Sequence, residues 1–153
     1  QLHLFEQVAD ALHALLPPEL GPWQERNHRY GIKVWLGADR SAPREHFEAQ
    51  VVGAKHVPGA RTLAIEVGFH AEHPDRATNE AVLADLVARE AEWRADLGDE
   101  AVAGTFLGTG RGWQRLSETW PDPDLGAAEL AFEVAARLTD YLLALGPLVR
   151  APR

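Results

Sequence analysis

Three successive runs in the first half of the chain alternate strictly between apolar and polar residues. Tyr30 to Leu36 places Tyr30, Ile32, Val34 and Leu36 on one side and Lys33 and Trp35 on the other. Glu45 to Val51 places Phe47, Ala49 and Val51 against His46, Glu48 and Gln50. Thr62 to His70 places Leu63, Ile65, Val67 and Phe69 against Glu66, Gly68 and His70. Period-two alternation is the pattern of a strand with one packed face and one solvated face, so the three runs predict an antiparallel meander. Turn residues separate them: Gly37 to Pro43, then Pro58-Gly59.

Helical periodicity flanks the meander. Leu2, Phe5, Val8, Ala9, Leu12, Leu15 and Leu16 form one stripe, ended by Pro17-Pro18. A second helix is predicted from about Thr78 to Leu97, with Gly98 as its stop. Thr105–Leu107 and Trp113–Ser117 flank the glycine-rich turn Gly108 to Gly112 and read as a hairpin. Asp122 or Asp124 is the expected N-cap of a last helix, whose stripe of Leu130, Phe132, Val134, Leu138, Tyr141, Leu142 and Leu145 carries it to Gly146-Pro147. The predicted order is α-β-β-β-α-β-β-α. Residues 1–153 show no repeat and no dividing linker, so one α+β domain is expected, its helices packed on one face of a mostly antiparallel sheet.

Composition removes several function classes. The chain has no cysteine, which excludes disulfides, thiolate metal sites and cysteine nucleophiles. Fifteen basic residues against twenty-three acidic ones give a net charge of −8, which argues against duplex nucleic acid as a partner. No apolar run reaches the ~18 residues of a membrane span, and no signal peptide is visible, so the cytoplasm is the expected compartment. Only Lys33 and Lys55 are lysines, and the preference for Ala, Gly, Arg and Leu suggests a GC-rich bacterial genome. The absence of methionine implies a chain trimmed or taken from something longer.

The functional candidates gather on the polar side of the meander. Lys33, Trp35, His46, Glu48, Gln50, Glu66 and His70 share it, with Gly68 leaving a gap. The tightest first loop puts Lys33 opposite Glu48 and Trp35 opposite His46. Two registers stay open for the next pair. One sets Glu48 against Glu66 and His46 against Gly68; the other sets His46 against His70 and Glu48 against Gly68. Paired carboxylates such as Glu48 and Glu66 suit proton transfer, with Lys33 as charge stabiliser. His46, Glu48, Glu66 and His70 carry the N and O donors of a divalent-metal site, although no established metal motif is present. Arg115 reaches toward the same face, or is solvated. His70, Glu72 and His73 also form a local group, read here as a strand end running into a helix start. The alternative to any site is a solvated outer face.

The element order resembles the type III secretion chaperone-like fold, which implies a homodimer that binds partner segments and carries no catalytic residues. The first elements also resemble a PD-(D/E)XK nuclease core. There Glu48 fits the acid of the second strand, but Glu66-Val67-Gly68 has glycine where the lysine belongs. The expectation is a binding or interaction module, without cofactor, acting through the polar sheet face or by dimerisation. A metal-dependent hydrolase or phosphodiesterase is the alternative. A third reading is a small-molecule pocket lined by Trp35 and Trp113.

Overall fold

The computed structural model describes residues 3–108 and 111–150. The alternating runs form strands, and they are joined by one more. β1 (Trp23–His28) and β2 (Gly31–Leu36) make a hairpin; β3 (Glu45–Gly53) and β4 (Leu63–Ala71) extend it. β5 (Val102–Thr105) and β6 (Gln114–Pro121) complete a sheet of order β1-β2-β3-β4-β6-β5, antiparallel throughout. β1 shows no apolar alternation because it is an edge strand. Its Gln24, Glu25, Arg26 and Asn27 keep an open edge polar, which discourages pairing with other chains. Tyr30, expected in the first run, lies instead in the two-residue turn of this hairpin and is exposed.

The apolar side is packed as expected. Ile32, Val34, Phe47, Ala49, Ile65, Val67, Phe69 and Leu116 are buried against α1 (Leu4–Leu15) and α4 (Leu130–Arg150). Val8 and Leu12 of α1 and Leu138, Leu142 and Leu145 of α4 have no exposed surface. Burying each such side chain contributes roughly 1.5–3 kcal/mol.

Two helix boundaries differ from expectation. The second helix stops as α2 (Arg76–Ala88); a short 3₁₀ turn and α3 (Arg94–Leu97) follow. The break lets Trp93 turn inward, where its indole N–H donates to the Leu86 carbonyl (2.8 Å), an acceptor near the end of α2. The last helix continues through Pro147 to Arg150. Gly146 lacks the Cβ that keeps most residues before proline out of helical geometry, and Leu145 and Leu148 gain burial by continuing.

The polar side of the sheet is not wet. Past the end of β5, Phe106 lays its ring 4.9 Å from the His70 ring and 5.2 Å from Trp113. Val52, Val57 and Ala64 make a small second core, with Ala60 and Leu107 packed on it. Part of the glycine-rich turn, Thr109-Gly110, lies outside the described residues, as does Leu2 of the first helical stripe.

Candidate metal centre

The register between β3 and β4 is the second of the two open ones: His46 faces His70, Glu48 faces Gly68 and Gln50 faces Glu66. Lys33 faces Glu48, as the tight loop requires. Parity then puts Arg115 and Ser117 of β6 on the same face, opposite His70 and Gly68. Gly68 is needed there. A Cβ at that position would fall 2.5 Å from the Leu116 carbonyl oxygen and from Ser117 Cα and Cβ. The missing side chain lets β6 press in, and Ser117 Oγ reaches Glu66 Oε2 at 2.6 Å.

Four side chains converge: His46, Glu48, His70 and Glu72, each offering a donor atom within 4.8 Å of the others. His46 Nε2 is 3.0 Å from Glu48 Oε1 and 3.5 Å from Glu72 Oε2. His70 Nδ1 is 3.1 Å from Glu48 Oε1 and 3.2 Å from Glu72 Oε2. Donors held about 2.1 Å from an ion lie about 3.0 Å apart in an octahedron and about 3.4 Å apart in a tetrahedron. The four N···O separations, 3.0 to 3.5 Å, lie close to that range, and the two shortest also have hydrogen-bond geometry.

The outer ring nitrogens fix the orientation of both imidazoles. His46 Nδ1 donates to the Pro43 carbonyl (2.9 Å), which can only accept. His70 Nε2 lies 3.0 Å from Glu66 Oε2. Gln50 Nε2 and Ser117 Oγ also donate to Glu66. With its outer nitrogen protonated, each neutral ring points a lone pair at the oxygens of Glu48 and Glu72. That arrangement calls for a cation, either a second proton or a metal ion.

Electrostatics agree. Burial would lower the His70 and His46 pKa values, but the adjoining carboxylates outweigh it and raise both. Burial would raise Glu48, yet hydrogen bonding to His46 and His70 holds it at about 2. Glu72 is likewise pulled down against its burial by His46 and His70, and Glu66 by His70 with Ser117 and Gln50. Holding this many ionisable groups away from water is costly unless they satisfy one another or a cation.

The remaining sequence candidates divide. Glu66, expected among the ligands, lies against the outer nitrogen of His70, while Glu72 stands among the four convergent side chains. The sequence carried a signal for Glu72: it continues the even-numbered face of 66, 68 and 70 one step past β4. His73 falls on the other parity and pairs with Glu45 (2.7 Å). Lys33 places its ammonium 3.7 Å from Glu72 and is partly exposed. Arg115 stays off the cluster, donating to Thr105 O, Ser117 O and Ser117 Oγ. Trp35 is buried and donates to Asp39 O. The Pro43 carbonyl has no signature that residue types can reveal. Comparison with protein-family models, with curated proteins and with solved structures returned no match.

Proposed function

We propose that this chain binds one divalent first-row transition-metal ion through His46, Glu48, His70 and Glu72, and that the ion ties β3 to the end of β4. The observation that carries the reading is the shared orientation of the two imidazoles. Their inner nitrogens meet the same two carboxylates, while their outer nitrogens are held by Pro43 and Glu66. A metal-ligating histidine is characteristically held this way. Two imidazoles and two carboxylates, with no thiolate, suit Zn²⁺, Mn²⁺, Fe²⁺ or Co²⁺ better than Cu⁺ or Ca²⁺.

Burial favours an ion over the larger partners expected from the polar face. A protein segment or a second copy of the chain would need these side chains at the surface, and a nuclease-like hydrolase would need an approach for a polyanion. The four side chains are at most 9% exposed. Four protein ligands in a closed setting fit a structural ion.

Calorimetric titration of chelator-stripped protein with Zn²⁺ and Mn²⁺ tests this, together with Co²⁺ absorption spectroscopy. The expected result is one ion per chain, lost in His46→Ala and in Glu72→Gln. At free ion 100-fold above Kd the gain is about 2.7 kcal/mol, or about 8 °C in Tm for a chain of this length. No binding heat at millimolar metal, with no change in Tm on chelation, would refute the reading.

A further inference from the structure

A cavity of about 320 Å³ lies where the loop entering β3 meets the last turn of α4. Trp35, Leu36, Phe47 and Val149 supply apolar wall, and Arg44 and Arg150 stand at its border. Both arginines are exposed to solvent. The cavity contains Trp35 but not Trp113, which packs on Phe106 instead.

Several contacts set this cavity in advance. The Trp35 indole is held by its hydrogen bond to the Asp39 carbonyl (2.8 Å). Arg150 is braced by donating to the Leu20 carbonyl (2.8 Å), which leaves further guanidinium N–H groups to point elsewhere. Glu45, the one acid among the described lining residues, pairs with His73 at 2.7 Å. In a chain of net charge −8, a largely apolar cavity bordered by two arginines is locally the reverse of the whole.

We propose that this cavity binds a small amphipathic monocarboxylate, with its hydrocarbon body against Phe47 and Val149 and its carboxylate between Arg44 and Arg150. The volume sits at the small end of the ~300–1,000 Å³ found for ligand pockets, which suits a medium-length fatty or arylalkanoic acid. The guanidinium fork matches a carboxylate with two parallel hydrogen bonds. The cavity shares His46 with the metal ligands, while its apolar wall and both arginines lie outside that cluster, so titration of chelator-stripped protein reads it without an ion.

Octanoate and 1-octanol form a matched pair of probes for isothermal titration against the full chain. Octanoate is expected to bind at one site, with the alcohol at least tenfold weaker. Arg44→Gln changes an exposed residue and keeps the fold; it is expected to weaken octanoate roughly tenfold, the loss of one charge-assisted contact. Val149→Trp fills the cavity and is expected to abolish binding while the melting transition stays cooperative. Absence of octanoate binding, equal binding of the alcohol, or an unchanged affinity in Arg44→Gln would each overturn the proposal.

Discussion

The close approach of β6 to Gly68 makes Gly68→Ala the most informative single substitution in the sheet. The new methyl carbon would begin 2.5 Å from three atoms of β6: Leu116 O, Ser117 Cα and Ser117 Cβ. Two are backbone atoms, so no side-chain rotation relieves the clash. Restoring ordinary contact at about 3.5 Å needs β6 to move by about 1 Å. Overpacking of this kind costs roughly 1–3 kcal/mol. The shift also breaks the 2.6 Å hydrogen bond from Ser117 to the buried Glu66 carboxylate. A hydrogen bond to a charged group adds about 1.5–3 kcal/mol. The combined loss is roughly 2.5–6 kcal/mol, a fall of about 5–20 °C in Tm for a chain of this length. Gly104→Ala is the control. Gly104 lies in β5 opposite Arg115, and a Cβ there meets nothing within 4 Å. It is expected to be neutral, or to stabilise by about 0.4–1 kcal/mol through the unfolded chain. Thermal and urea denaturation of both variants provide the comparison. Equal behaviour of the two would show that β6 does not rest on Gly68, and the account of the polar face would fail with it.

Three further expectations follow from the same geometry. Glu66→Gln removes the charge that orients His70, so metal affinity should fall about 10- to 100-fold with the fold retained; unchanged affinity would show that Glu66 has no orienting role. His46 and His70 have raised pKa values and must be neutral to ligate, so protons compete with metal. Affinity should therefore climb as pH rises through and beyond the ordinary imidazole value of about 6.5, with protons released on binding, read from calorimetry in buffers of different ionisation enthalpy; a flat profile would count against histidine ligation. On the opposite face, Glu118 is buried and accepts from Arg137, Tyr141 and Trp120. Arg137→Ala leaves that carboxylate without its cation and should cost about 3 kcal/mol in urea denaturation, against about 1 kcal/mol for Tyr141→Phe. A loss in Arg137→Ala no larger than in Tyr141→Phe would contradict this.

The amino-acid sequence alone determined which side chains share a face. Alternation at period two admits only two sides, so Lys33, Glu48 and Gly68 were bound to lie together once the strands paired. The apolar helical stripes likewise determined what those strands pack against. Tertiary structure decided the rest. Register depends on how loops close, and residue types permitted two pairings of β3 with β4 where the fold adopts one. Phe106 folds onto His70 from far along the chain, which no local pattern encodes. The exchange of Glu66 for Glu72 in the cluster has the same origin. Both carboxylates lie on the correct side, and it is the three-dimensional positions of Ser117 and Gln50 that hold Glu66 against the outer nitrogen of His70.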